Sequence, residues 1–270
     1  MSGLTIASDR SDVVIEIGGL PIRLWVEDPS FLQMLKERYA GFVTSTAKAS
    51  FDFDIELVPP GTSDDGDLRV EFESGRWCMD GGDFYAEWNP ATARGLVRQT
   101  ATPRSIDCVL RIVHTLLLAR NAGFLVHSAS VVRNGRAFLF AGVCGAGKTT
   151  MARLAPPDAT LLTDEISYVC RQQDQYCAFG TPFVSDIGRT GDNICAPIAA
   201  LYFLAKGPEN KIESLDPADA GRALLENILF VAHDSEMVRS VFEAACEFVS
   251  RVPTRRLTFR PDARVWEMIT

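Results

Sequence analysis

Residues 137–154 read AFLFAGVCGAGKTTMARL, and this stretch decides the fold. An apolar run comes first, the pattern GxxxxGK[ST] follows at Gly142–Thr149, and residues compatible with a helix come last. Glycines in such a pattern let backbone amides surround phosphate oxygens without obstruction from side chains, and the start of a helix adds favourable partial charge. The stretch therefore predicts a phosphate-binding loop between a strand and a helix. A plain glycine turn would explain the glycines, but not the Lys-Thr pair that ends the pattern.

The predicted loop supplies most of the candidate nucleotide-binding residues. We expect Lys148 to reach the β- and γ-phosphates and the Thr149 hydroxyl to bind Mg²⁺, so ATP and Mg²⁺ are the predicted cofactors. The candidate nucleotide-binding residues of the loop are Gly142, Gly145, Ala146, Gly147, Lys148, Thr149 and Thr150.

A pair of carboxylates follows in the stretch LLTDE at residues 161–165, only 16 residues after Lys148. Pro156 and Pro157 stop the preceding helix, so the strand that carries the pair comes almost immediately. Beside Mg²⁺, one carboxylate could hold the metal while the other takes a proton from an attacking hydroxyl. The sequence leaves open which of Asp164 and Glu165 has which role. A solvated turn after a strand is the alternative interpretation of the pair.

Two charged residues of a later loop are further candidates. Arg189 could steady the γ-phosphate, because charge that develops during phosphate transfer needs a cation nearby. Asp186 could act as a second metal ligand. Solvated loop side chains are the alternative for both.

The chain divides into two regions by pattern and by charge. Residues 1–100 read as strands separated by turns with one helix, and they carry 17 acidic and 9 basic side chains. Residues 101–270 alternate strands and helices, which is α/β patterning, and they carry 18 of each sign. We therefore predict a strand-rich, acidic N-terminal region and a second domain at residues 101–270.

Composition excludes several classes of protein. The net charge of -8 has the wrong sign for a protein that binds nucleic acid by displacing phosphate counterions. The sequence has neither an apolar run of about 18 residues for a bilayer nor the apolar core of a signal peptide, so we expect a cytoplasmic protein without a membrane partner. Seven cysteines without a CxxC pair argue against a disulfide framework and a zinc site, and we expect most of them to be reduced and buried.

Several segments together resemble a known family. These are GFLVHSAS at residues 123–130, the loop at 142–149, TDE at 163–165, FGTPF at 179–183 and APIAALYFL at 196–204. Over roughly residues 120–270 they resemble the catalytic domain of HPr kinase/phosphorylase and its smaller serine-kinase relatives, a fold similar to that of phosphoenolpyruvate carboxykinase. The resemblance implies an α/β P-loop kinase domain of this type, preceded by a smaller, strand-rich α+β region.

The same resemblance implies an activity and its residues. It implies an ATP-dependent kinase that acts on a serine-type hydroxyl, with Asp164 and Glu165 at the positions of the family's acidic pair and His127 at that of its active-site histidine. The pair is Asp-Glu here where HPr kinases have Asp-Asp, and their glutamate-and-arginine segment is not found after it. Read without the resemblance, His127 lies in an apolar strand, where a lone histidine is more often a core residue than a catalyst.

Two functional hypotheses result. In the first, the chain transfers the γ-phosphate of ATP to a peptide, a protein or a small molecule that bears a hydroxyl. Relatives often occur beside peptide-modification machinery, which adds a small peptide-recognition protein to the expected partners, and kinases of the family tend to assemble, which adds a homo-oligomer. In the second, the chain is an ATP-binding switch or scaffold without phosphotransfer, and the acidic first region is its partner surface.

Overall fold

The computed structural model describes residues 10–46, 48–59, 67–184, 190–232 and 234–269. The chain divides into two units, Met1–Arg111 (unit 1) and Ile112–Thr270 (unit 2). Each unit combines helices and strands and is built on a large sheet of its own.

Unit 1 contains an eight-stranded sheet with the order β3-β1-β2-β4-β8-β7-β6-β5. The pairs β2–β4 and β4–β8 are parallel, and the other pairs are antiparallel. A short 3-10 helix, Ala40–Phe42, follows the first α-helix. The elements are β1 (Ser11–Ile17), β2 (Leu20–Val26), α1 (Pro29–Arg38), β3 (Val43–Thr44), β4 (Phe51–Leu57), β5 (Arg69–Glu73), β6 (Arg76–Asp80), β7 (Phe84–Asn89), β8 (Arg94–Gln99) and the start of α2 (Pro103–Ala119).

One local pattern of this unit is explained by its place in the sheet, and one local prediction needs correction. The alternation in residues 68–72 predicts Leu68, Val70 and Phe72 on one face of a strand. Because β5 is the edge strand of the sheet, Val70 is buried while Leu68 and Phe72 are exposed. The sequence after Pro103 predicts a helix with Ser105 as its cap. That helix begins at Pro103, and the buried Ser105 hydroxyl instead donates to Asp83 Oδ2 at 3.0 Å.

Unit 2 is built on a nine-stranded sheet in which β9 and β14 are the long strands. β14 pairs in parallel with β10 and β17, while β9 pairs antiparallel with β10, β11, β12 and β16. A 3-10 helix, Ala263–Met268, ends the unit. The elements are β9 (Phe124–Arg133), β10 (Arg136–Ala141), α3 (Lys148–Arg153), β11 (Thr160–Thr163), β12 (Ile166–Gln172), β13 (Gln175–Phe179), β14 (Cys195–Lys206), β15 (Lys211–Ser214), α4 (Pro217–Leu225), β16 (Ile228–Leu229), α5 (Ser235–Arg251) and β17 (Thr254–Phe259).

The continuous apolar run of β10 is explained by burial of both faces of the sheet. Leu139 belongs to the core cluster that includes Phe248 of α5, whereas Phe138 and Phe140 belong to the cluster that includes Met151 of α3. The strand that precedes the glycine pattern is therefore fixed on both sides.

All seven cysteines are free, but most of them are not buried. Cys177 is buried, whereas Cys144, Cys195 and Cys246 are exposed, so the expectation of burial is wrong for these three. Their positions explain the exposure: the glycine pattern, the first residue of β14 and the solvent-facing side of α5. No helix in the described ranges is long and apolar enough to cross a membrane.

Candidate functional site

The glycine pattern forms a loop, Gly142–Thr149, that leads from β10 into α3; we call it the glycine-rich loop. Its three glycines have positive φ angles, +152° at Gly142, +77° at Gly145 and +110° at Gly147. Residues with a Cβ rarely adopt these angles, so the path of the loop depends on glycine at all three positions.

The surroundings of the three glycines differ. A Cβ on Gly147 would lie 2.6 Å from Cζ of the buried Phe259, and one on Gly142 would lie 2.9 Å from Cβ of Ala146. A Cβ on Gly145 would meet nothing within 4 Å. Gly142 therefore lets the loop fold closely on itself, and Gly147 lets it pack against Phe259. Gly145 faces open space where a ligand could approach.

Lys148 is folded back onto the loop. Its Nζ donates to Gly142 O at 2.8 Å and to Val143 O at 3.2 Å, and the residue is only 8% exposed. Burial lowers the pKa of Lys148 below its usual value of 10.5. The ammonium group thus links the end of the loop to its first two residues. A phosphate could accept hydrogen bonds from it in place of the two carbonyls.

The acidic pair lies in the turn between β11 and β12. The Thr163 hydroxyl accepts hydrogen bonds from the amides of Glu165 (3.2 Å) and Ile166 (3.3 Å), which fixes this turn. Asp164 is buried and Glu165 is half-buried. Ile166 is the register partner of His127 on β9, so the strand pairing brings the histidine next to the pair.

Two glycines between β13 and β14 allow close backbone contacts next to that turn. Gly191 lies so close to β11 that a Cβ would be 1.6 Å from Leu162 O, and a Cβ on Gly180 would be 1.9 Å from Asp192 O. The Thr181 amide donates to Leu162 O at 3.1 Å. The backbone after β13 therefore packs directly on the end of β11, and a side chain larger than that of glycine would prevent this contact.

These elements enclose a pocket of about 720 Å³. Its lining residues are His127, Cys144, Gly145, Gly147, Lys148, Thr149, Thr150, Asp164, Glu165, Val184 and Lys206. The fold thus brings the predicted histidine, the loop and the acidic pair to one place. Gly142 and Ala146 are not among the lining residues, whereas Asp186 and Arg189 lie outside the described residues.

Sequence reasoning missed two side chains of this site. Lys206, at the end of β14, is an exposed cation on the pocket wall. Asn227 lies outside the lining but bonds to the glycine-rich loop, since its Oδ1 accepts from the Gly142 amide at 3.2 Å. The end of the apolar run at residues 196–204 is the only signal for Lys206, and a single asparagine after a helix gave no signal for Asn227.

The donor set of the pocket suits Mg²⁺. This ion usually keeps several waters and binds through one or two carboxylates together with substrate phosphates, rather than in a cage built only of protein groups. Thr149, Asp164 and Glu165 offer one hydroxyl and two carboxylates at the same pocket. Within the described residues, no group of three or more His, Cys, Asp or Glu side chains is arranged to hold a metal without such a substrate.

Fold and site together define a mixed α/β protein whose second unit carries a glycine-rich loop and an acidic pair at one pocket. The family model described as "SynChlorMet cassette protein ScmC" matches residues 99–270, and the chain belongs to this family.

One solved structure similar to this chain is the Hpr(Ser) kinase/phosphatase from Coxiella burnetii. The match has 11% sequence identity and a TM-score of 0.25, and it covers 44% of this chain and 87% of that chain. A TM-score this low does not define a shared fold. The search of the curated proteins found no match.

Proposed function

We propose that this chain is a phosphotransferase that binds Mg-ATP and transfers its γ-phosphate to a hydroxyl group of an acceptor. One observation carries the proposal: the glycine-rich loop, its buried Lys148, the Asp164–Glu165 pair and His127 line a single pocket. Each of these groups has a role in phosphate transfer, and a glycine turn of purely structural importance would not need the other three beside it.

The loop and two lysines bind the triphosphate in this scheme. Backbone amides of the glycine-rich loop donate to phosphate oxygens on the open side of Gly145. Lys148 exchanges its bonds to the Gly142 and Val143 carbonyls for bonds to the β- and γ-phosphates. Lys206, at the end of the strand next to β10, supplies a second positive charge to the γ-phosphate, which carries charge during transfer.

The residues that would hold Mg²⁺ are Thr149 and one carboxylate of the acidic pair. The ion, when bound, neutralises charge on the β- and γ-oxygens. The other carboxylate accepts the proton of the acceptor hydroxyl as its oxygen attacks the γ-phosphorus, and the bond between this phosphorus and the β,γ-bridging oxygen breaks. ADP leaves, and the acceptor carries the phosphate as a monoester.

The acceptor is a peptide, a protein or a small molecule that presents a serine-type hydroxyl. A pocket of about 720 Å³ is large enough for a triphosphate together with an acceptor side chain. His127 is half-buried on the wall beside the acidic pair and orients the acceptor hydroxyl by hydrogen bonding.

The test is transfer of labelled γ-phosphate from Mg-ATP to three acceptors: free serine, a pool of serine-containing peptides and extract of the source cells. Lys148→Ala removes the buried ammonium, and Lys211→Ala is the matched control, because Lys211 is an exposed lysine of β15 whose ammonium pairs with Glu213. We expect label with the wild type and the control and none with Lys148→Ala. ATP binding without any transfer would instead support the switch hypothesis, and an absence of ATP binding would contradict both.

A further inference from the structure

We propose that Asn227 is a positioning residue, which holds the entry of the glycine-rich loop and the His127 strand in a fixed relation during phosphate transfer. The inference rests on the proposed function for its catalytic consequence, but its structural content can be measured without ATP.

Asn227 bonds to three separate parts of unit 2. Its Oδ1 accepts from the Gly142 amide at 3.2 Å, its Nδ2 donates to Ala223 O of α4 at 2.8 Å, and its backbone carbonyl accepts from the His127 amide at 2.8 Å. The next residues form β16, which pairs with β9 beside His127. One side chain and one carbonyl therefore connect α4, the loop and the histidine strand.

Gly142 is the point at which this connection matters. Its amide is held by Asn227 and its carbonyl by Lys148 Nζ, at 2.8 Å. When Lys148 turns toward a phosphate, the bond to the carbonyl is lost. The Asn227 bond to the Gly142 amide then remains, and it ties the entry of the loop to the segment after α4.

A purely structural role for Asn227 can be separated from a positioning role. The bond from Nδ2 to the carbonyl four residues earlier caps the end of α4, and Asn121 makes the same bond to Leu117 O at 2.8 Å at the end of α2. Asn121 is exposed and is not part of the pocket. Asn121→Ala therefore removes an equivalent cap and leaves the loop untouched.

Two substitutions at the site separate the bonds of Asn227 itself. Asn227→Ala removes both side-chain bonds. Asn227→Asp keeps an oxygen that accepts from the Gly142 amide and loses the donor to Ala223 O. If the bond to Ala223 O carries the effect, both variants change hydrogen exchange and transfer in the same way. If the bond from the Gly142 amide carries it, Asn227→Asp behaves like the wild type.

The first readout is hydrogen–deuterium exchange of the ligand-free protein in the peptides that contain residues 124–130 and 142–149. With Asn227→Ala we expect faster exchange in 142–149, where the Gly142 amide loses its acceptor, and a smaller increase in 124–130, where the backbone bond to the His127 amide is kept. We expect near-wild-type exchange with Asn227→Asp and no change in either peptide with Asn121→Ala. The second readout is transfer kinetics, in which Asn227→Ala lowers kcat about tenfold, as expected for one lost hydrogen bond, and Asn227→Asp restores most of it.

Equal exchange in Asn227→Ala and the wild type, with only a lowered melting temperature like that of Asn121→Ala, would overturn the inference. If the wild type fails to bind ATP, the proposed phosphotransfer is wrong, and the exchange measurement still decides whether Asn227 positions the loop.

Discussion

The two units bury their polar side chains in different ways. In unit 1 the three buried polar side chains among the described residues are those of Gln99, Ser105 and Asp107, and each makes a hydrogen bond within the unit. Unit 2 is the longer of the two and buries nine such side chains among its described residues. These are His114, Thr115, Ser128, Ser130, Lys148, Thr163, Asp164, Ser167 and Thr181.

Four of these nine buried polar side chains lie at the pocket or at the turn beside it. Lys148 and Asp164 line it, and Thr163 and Thr181 form hydrogen bonds that shape the turn carrying the acidic pair. Burial of polar groups costs stability unless partners compensate, so proteins tolerate it chiefly where folding or function requires it. Polar burial in unit 1 supports its own fold, whereas part of the polar burial in unit 2 lies at the candidate site.

The largest effect that would test this difference is expected for Lys148→Met. Methionine fills similar space without the charge, so the buried ammonium is lost while packing is kept. We expect transfer to fall about a hundredfold to a thousandfold, the scale of losing a charge-stabilising group in such sites, while the thermal midpoint stays equal or rises. Transfer assays and calorimetry measure the two quantities. An active Lys148→Met protein would show that the buried lysine of unit 2 is structural after all.

His114 sharpens the comparison, because it is a buried polar group of unit 2 away from the pocket. It is 0% exposed, and its ring centroid lies 5.6 Å from that of Tyr168. Neither nitrogen of the His114 ring has a hydrogen-bond partner in the described ranges. Burial lowers its pKa from 6.5 to about 4. Between these two pH values the unfolded chain binds a proton that the folded chain does not, so stability falls as pH decreases through this window.

By linkage, this histidine alone should remove about 3 kcal/mol of stability between pH 6.5 and pH 4. His114→Phe should abolish that part of the pH dependence and leave transfer unchanged. Urea unfolding of both proteins at several pH values gives the difference, in which the titration of surface groups cancels. Identical pH dependence in the two proteins would mean that His114 has a partner in solution or is already exposed there.

Part of this architecture follows from local sequence patterns. The run before Gly142 predicts a strand because both of its faces are apolar, and Pro156 with Pro157 predicts the short helix. The hairpin of β1 and β2 follows from two glycines with positive φ angles. In these cases, the physical cause lies within a few residues of chain.

The rest depends on contacts between distant residues. Phe259 under Gly147, Gly191 on Leu162 and Asn227 on Gly142 join positions more than 25 residues apart. Lys206 reaches the pocket only because β14 pairs with β10, which carries the loop. The loop and the acidic pair could be predicted as parts, but their meeting with His127 depends on the register of β12 against β9.

In unit 1 we expect a substitution of the buried Asp107 to lower stability and leave transfer unchanged, the opposite of Lys148→Met. Asp107 accepts hydrogen bonds from the Tyr39 hydroxyl and from Arg38, and burial together with Asp107 raises the pKa of Tyr39 well above its usual value. Asp107→Ala leaves both donors without their acceptor. We expect a loss of about 2 kcal/mol in the free energy of unfolding, the usual penalty for unsatisfied buried groups, with transfer unchanged at temperatures where the protein is folded. A drop in kcat at full folding would show that unit 1 takes part in the chemistry.

The smallest effect distinguishes two glycines within the loop itself. Gly145→Ala adds a methyl group into open space, so its only cost is the positive φ, about 1 kcal/mol for an L-residue. Gly147→Ala has the same kind of strain and also collides with Phe259. We therefore expect Gly147→Ala to lower the melting temperature more, whereas Gly145→Ala weakens ATP binding more than it weakens the fold, because its methyl group occupies the side from which phosphate approaches. Calorimetric titration with ATP beside thermal unfolding compares the pair. If Gly145→Ala binds ATP as the wild type does, the open side of Gly145 is not where the phosphates lie.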